Sequence, residues 1–296
     1  MYPVSSQPVV CAESTIFSNL GLPAPYNRQA LERCVGAVEA AGARFALTAI
    51  LDGKIEVGVD PSNFDRICGP ARKVAARDLA VAVASGWDYG ATTVSASLML
   101  AAKAGIEVFA TGGIGGVHVG AQSTGDISAD LDALARFPVV TVSAGAKVFL
   151  DLPRTVEYLE MLSVPVLGWQ CDEFPAFHAR SSGLPVAHRV DSANQVAQIA
   201  RAHWALGGGG ILVVAPVPQG DALDWETLKA AAEQAVKRAE TEGVHGNAVT
   251  PAVLTHLAEL TGGRSVAANL ALAENNAAVA ASIAQAICEL GTTAEI

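Results

Sequence analysis

The sequence is short of charge, of aromatic rings and of positive residues, and each shortage removes a class of function. Lys and Arg number 19 against 29 Asp and Glu, a formal net charge of -10, so the molecule as a whole repels a polyanion and nucleic acid is not an expected partner. Phe, Trp and Tyr make up 5% of the 296 residues, which argues against an aromatic-rich β-sandwich. No apolar run approaches the roughly 18 residues of a membrane span, and MYPVSSQPVV lacks the basic start and apolar stretch of a secretory signal. A soluble, cytoplasmic protein with no membrane partner is expected. The five cysteines, Cys11, Cys34, Cys68, Cys171 and Cys288, are odd in number and without C-x-x-C spacing, so neither a disulfide framework nor a zinc site is suggested. Nucleotide loops are missing too. Reading from Gly113 gives G-I-G-G-V-H, with His118 where the dinucleotide fingerprint needs its third glycine, and no G-K-[ST] occurs.

What is present is a 51% hydrophobic chain dominated by Ala, Val and Leu, the composition of helices packed on buried strands. The periodicity predicts a helix over 27–41, the strand FALTAIL and a hairpin at Asp52-Gly53. RKVAARDLAVAVASG reads as helix and then strand. A helix from Thr92 is closed by Gly105 and followed by the strand IEVFA. Three helix–strand units follow: 127–135 with VVTVSA, 154–162 with VPVLGW, and 194–206 with ILVVAPVP. From Trp225 onward the chain reads as helical. Alternating strands and helices imply a largely parallel sheet covered on both faces, in a single domain over 1–296. The run Gly207–Gly210 is read as a tight connection rather than a site.

Residues able to carry chemistry gather after the predicted strands. FATGGIGGVHVG is an N–H-rich turn at the carboxyl end of a strand, where open α/β sheets place ligands. In STGDISADL, Asp126 or Ser128 caps a helix, or Ser128 and its neighbouring N–H groups hold a phosphate. Asp126 is also a single carboxylate of the kind that holds a hard cation otherwise surrounded by water. Lys147, in SAGAKVFLD, either snorkels to solvent or sits among apolar neighbours that favour the neutral, nucleophilic amine. Glu13 follows an apolar run and is either a surface residue or an acid in a pocket.

These segments resemble a known family. AESTIFSNLGLP, KVAARDL, GATTVSASLML, FATGGIGGVHVG, DISADL, SAGAK, QCDEFPAFHARSSGLPV and ELTGGRSVAANLALAENNAAVAASIA are similar, in order from about Val10 to about Ala284, to the pseudouridine-5'-phosphate glycosidases, also called the indigoidine synthase A family. The resemblance implies an α/β/α sandwich, a homotrimer, and an enzyme that cleaves or forms the C–C bond between ribose 5-phosphate and uracil. It places the imine-forming lysine on Lys147 and the proton donor on Glu13. Substrate-binding positions fall on Lys73, Val94, His118, Ser128, Ala129, Asp130 and Asn269. The ligand of a divalent metal, manganese, falls on Asp126.

The chemistry of the residues agrees with such roles. A C-glycoside leaves through carbon, so protonating a heteroatom of the base does not release it, and another electron sink is required. If Glu13 protonates the ribose ring oxygen, Lys147 can capture C1' as an imine that serves as that sink. This asks for a partly buried Glu13 with a raised pKa. The sequence departs from the family pattern at Val119, Ala215 and Asn247, and a longer SGWDYGATT loop brings in Trp87 and Tyr89. These changes are expected to bear on the base pocket. They sustain a second reading, a biosynthetic C-glycosynthase joining ribose 5-phosphate to an aromatic acceptor other than uracil.

Overall fold

A computed structural model describes residues 7–244 and 249–291. Its strands are β1 (Val9–Ala12), β2 (Arg44–Leu51), β3 (Lys54–Val57), β4 (Arg72–Val74), β5 (Tyr89–Thr92), β6 (Val108–Ala110), β7 (Val140–Ser143), β8 (Val166–Trp169), β9 (His188–Val190) and β10 (Ile211–Val214). The helices are α1 (Tyr26–Ala40), α2 (Phe64–Ile67), α3 (Leu79–Ala84), α4 (Val94–Lys103), α5 (Ala121–Thr124), α6 (Ala129–Arg136), α7 (Leu152–Met161), α8 (Ala193–Ala205), α9 (Trp225–Thr241), α10 (Val249–Leu260) and α11 (Arg264–Gly291).

The strands form one sheet in the order β4-β5-β2-β1-β6-β7-β10-β8-β9, with β3 paired to β2. Every neighbour pair is parallel except β2 with β3 and β2 with β5. Each residue of β7 and of β10 is buried, the pattern of strands covered on both faces. One helical group, α1, α8 and α11, packs together; a second joins α4, α6 and α7. Helices α4 and α11 both pack on β1 and β6, so the sheet lies between the two groups as an α/β/α sandwich. No disulfide forms, and no helix is long and apolar enough to cross a membrane, among the described residues.

The hairpin reading of Asp52-Gly53 holds, both residues having positive φ between antiparallel β2 and β3. The reading of RKVAARDLAVAVASG is corrected. Its order is strand β4 and then helix α3, because the alternation in LAVAVA is a run of short side chains whose buried members, Leu79 and Ala82, lie at helical spacing. Strands β1, β5 and β9 were not read from the sequence.

The glycine run after α8 is a packing device. A Cβ on Gly209 would lie 1.7 Å from the Ala135 carbonyl oxygen, whereas Gly207 has φ +81° and open space around it. Gly209→Ala is therefore expected to cost about 3 kcal/mol through forced backbone displacement. Gly207→Ala should cost about 1 kcal/mol, the strain of a left-handed residue alone. Urea denaturation of the two variants checks the order.

Candidate active site

A cavity of about 370 Å³ opens where β1, β4, β5, β6 and β7 end. All ten residues singled out from the sequence, Glu13, Lys73, Val94, His118, Asp126, Ser128, Ala129, Asp130, Lys147 and Asn269, line it. Parallel β1, β6 and β7 bring their carboxyl ends together. Strands β5 and β4 run the opposite way and end facing them, because the eight-residue β2 pairs with β1 over its first half and with antiparallel β5 over its second. Glu13 directly follows β1, Lys73 is in β4, Val94 begins α4 after β5, and Lys147 stands in the loop after β7.

The turn that carries Glu13 is fixed by buried hydroxyls. Ser14 Oγ accepts from the Thr92 N–H at 2.9 Å, and the Thr92 hydroxyl donates to the Thr48 carbonyl at 2.8 Å. The Thr48 hydroxyl lies 2.8 Å from Ser97 Oγ, which joins the ends of β1 and β5 to β2 and α4. Glu13 itself is 6% exposed, and the Thr111 hydroxyl donates to its Oε1 at 2.5 Å. Burial raises the Glu13 pKa to about 7, against the opposing pull of Lys147, the Thr111 hydrogen bond and Lys73, and with help from Asp130. Glu13 is thus an acid in a pocket rather than a surface residue. Lys73 is held below the usual lysine range, chiefly by burial and secondly by repulsion from Lys147.

The glycine stretch after β6 spends four of its N–H groups on the protein itself. The N–H groups of Ile114, Gly115, Val117 and His118 donate respectively to the Gly145 carbonyl, Asp130 Oδ2, Thr155 Oγ1 and the Asp126 carbonyl. Those four donors are occupied within the protein, and the loop is a rigid wall. Its partner is the SAGAK loop: Ala144 N–H donates to the Gly112 carbonyl at 2.9 Å and Lys147 N–H to the Ile114 carbonyl at 3.2 Å. Gly145, at φ +80°, would carry a Cβ 2.1 Å from the Pro175 carbonyl oxygen, so only glycine lets this loop close against its neighbour. The half-buried Lys147 side chain reaches the cavity from this braced backbone.

Of the two capping candidates, Ser128 is the cap of α6, its Oγ accepting from the Asp130 N–H at 3.2 Å. Asp130 is buried, and its carboxylate accepts from the Ser95 N–H at 3.0 Å and the Gly115 N–H at 2.9 Å, tying α4 to the glycine loop. Asp126 stands at the rim, 65% exposed, with Oδ2 3.9 Å from His118 Nδ1. Burial lowers the His118 pKa while Asp126 raises it, the first effect prevailing. No group of three or more His, Cys, Asp or Glu side chains able to hold a metal occurs among the described residues.

Four expected determinants of the base pocket stand elsewhere. Trp87 lies under the Arg72 guanidinium, 3.4 Å from its ring centroid, and Tyr89 is buried with its hydroxyl on the Ile67 carbonyl. Ala215 is buried in the core, and Val119 is 71% exposed beyond the cavity wall. None of the four lines the cavity, so their departures do not reshape it. The change at Asn247 lies outside the described residues. Sequence reasoning missed Thr111, hidden in a stretch read only for its glycines, and the apolar wall of Ile16, Leu20, Phe149, Phe177 and Leu254. Leu254 comes from α10, whose approach to the cavity no local pattern announces.

An open, mostly parallel sheet whose carboxyl ends deliver a lysine, a neutral-prone carboxyl and a helix start to one cavity is the architecture of an α/β enzyme. The chain matches the description "Indigoidine synthase A like protein" over residues 4–286 and belongs to that family. It is 48% identical over 288 residues to a pseudouridine-5'-phosphate glycosidase of Sorangium cellulosum, covering 96% of this chain and 90% of that one. A pseudouridine-5'-phosphate glycosidase of a Roseiflexus species is 51% identical, with 96% and 92% covered. Among solved structures, the prealnumycin C-glycosynthase AlnA in complex with ribulose 5-phosphate superposes with a TM-score of 0.88 at 36% identity, covering 98% of this chain and 94% of that one. An indigoidine synthase A-like protein from Thermotoga maritima gives 0.86 at 36% identity, with 94% and 92% covered.

The raised Glu13 pKa makes a linkage prediction. Between the ordinary 4.5 and about 7 the folded state holds a proton that the unfolded state has lost, so stability falls as pH rises through that window. The loss should reach about 3 kcal/mol and should vanish in Glu13→Gln. Urea denaturation at pH 5 and pH 8 measures it.

Proposed function

We propose that this protein is a pseudouridine-5'-phosphate glycosidase, releasing uracil and ribose 5-phosphate from pseudouridine 5'-phosphate and water through an imine on Lys147. The observation that carries the reading is the meeting of Lys147 with a buried Glu13 whose pKa is about 7 in one cavity. Near neutral pH such a carboxyl exists in both forms, so it can give a proton and regain it.

Glu13 protonates the ribose ring oxygen as the C1'–O bond opens, and the Lys147 amine adds to C1'. The ammonium so formed returns a proton to the Glu13 carboxylate, and the freed nitrogen lone pair then forms the C1'=N bond as the C1'–C5 bond breaks. That bond's electron pair goes to uracil, which takes a proton at C5. Water hydrolyses the imine, freeing ribose 5-phosphate and the amine. In this reading Lys73 and Ser128 bind the phosphate beside the start of α6, whose dipole favours an anion. They keep the opened sugar from leaving.

Asp126 would hold the divalent metal. A single exposed carboxylate at a polar rim fits a hard cation that keeps most of its water and takes substrate oxygens as further ligands. When bound, such an ion supplies positive charge beside the opened sugar. The homotrimer is likewise part of this proposal and is read by sedimentation.

The same cavity in a C-glycosynthase would join ribose 5-phosphate to another aromatic acceptor, and the likeness to AlnA favours keeping that reading as the alternative. Against it, the two glycosidase relatives are 48% and 51% identical to this chain, against 36% for AlnA.

Incubation with ribose 5-phosphate and borohydride should leave a reduced sugar adduct on Lys147, seen by mass spectrometry, and none on Lys147→Ala. No adduct on the wild type overturns both readings. Uracil release from pseudouridine 5'-phosphate then separates them, and Glu13→Gln should slow it by roughly 10²- to 10⁴-fold. The acid role also requires the rate to fall as pH rises through about 7. EDTA should suppress turnover and Mn²⁺ restore it, with Asp126→Asn weakening Mn²⁺ binding in an electron paramagnetic resonance titration.

A further inference from the structure

We infer that Asn276, a residue of α11 outside the cavity lining, is a positioning residue that aims the Glu13 proton by holding Thr111 in place. The inference rests on the reading of Glu13 as the acid. Asn276 is fully buried, and its Nδ2 donates to the Thr111 carbonyl at 2.8 Å and to the Gly112 carbonyl at 3.2 Å. Both acceptors lie in the chain that leaves β6, whereas Asn276 is in the middle of a 28-residue helix. It follows Asn269 by seven residues, two helical turns, so one face of α11 presents an amide to the cavity and a second amide to the loop behind it.

Thr111 is gripped at both ends. Its N–H donates to the Val142 carbonyl at 3.0 Å, and its carbonyl accepts from Asn276. Its hydroxyl is thereby fixed to donate to Glu13 Oε1. With Oε1 accepting, the carboxyl proton resides on Oε2, which is a statement about direction as well as acidity. The charged groups acting on Glu13 are Lys147 from the loop after β7, Lys73 from β4 and Asp130 from α6, and none replaces a donor on Oε1. Asn276 Oδ1 has no hydrogen-bond partner among the described residues. A buried amide with half its polar capacity unmet is a poor choice for stability alone. Its retained function is donation to the loop.

The test compares Asn276→Ala, Thr111→Val and the double variant. Asn276→Ala should lower kcat by about 10²-fold with KM for the phosphosugar unchanged, since misplacing a catalytic group by about 1 Å has that effect. The alkaline limb of the pH–rate profile should move to higher pH, because the Thr111 hydrogen bond favours the carboxylate. Thr111→Val should move it the same way, and the double variant should be no worse than Thr111→Val. An unmoved limb, or losses that add, overturns the inference. Should Asn276→Ala not fold, the wild type still decides: the Asn276 side-chain amide resonance should shift with the Glu13 titration, and an unshifted resonance counts against the coupling. If Glu13→Gln retains full activity the acid reading falls. The positioning of Glu13 is then judged by ¹³C NMR titration of its carboxyl in Asn276→Ala, and an unchanged midpoint overturns it.

Discussion

The site depends on one buried carboxylate that is not among its reactive groups. Asp130 accepts the Ser95 N–H at the start of α4 and the Gly115 N–H in the glycine loop. It therefore joins three elements at the place where β5, β6 and the approach to α6 must meet. Hydrogen bonds to an ionised group contribute about 1.5–3 kcal/mol each. Without Asp130, two buried N–H groups would lose their acceptor, and the wall that faces Lys147 would lose its brace. The family resemblance attaches the S-A-D segment to the substrate; in the structure, the last member of that segment also builds the wall.

Around this brace the electrostatics are a contest between burial and charge. Two lysines stand near Glu13 and both favour its carboxylate, yet desolvation prevails and the pKa settles near 7. The same desolvation, joined by repulsion from Lys147, draws Lys73 downward. The Glu13 carboxyl is thus kept partly protonated although two lysines stand close, a combination that bulk water does not permit because its high dielectric levels both effects. The cost falls on the fold, which holds a carboxyl it would rather keep neutral, as functional sites commonly do.

Much of this was legible in the residues. Helices 27–41, 194–206 and those after Trp225, the Asp52-Gly53 hairpin, and the parallel character of the sheet all followed from periodicity and turn chemistry, which act over a few residues. The LAVAVA segment misled because a short Ala/Val alternation satisfies both periods, and only packing of Leu79 and Ala82 selects the helix. The glycine loop was legible only in part. Its composition announced N–H groups without saying that Gly145, Asp130, Thr155 and Asp126 would take four of them. Trp87 and Tyr89 looked like pocket residues by their chemistry, and the fold directs them to Arg72 and Ile67 instead.

The sequence by itself determined the class of fold and, through motifs that resemble a known family, ten of the residues that line the cavity, because contiguous motifs are recognisable without a third dimension. Tertiary structure alone decided which of those residues act on one another. Thr111 meets Glu13 across 98 positions and Asn276 meets Thr111 across 165. Neither pairing leaves a local trace, since hydrogen bonds and desolvation depend on distance in space and not along the chain.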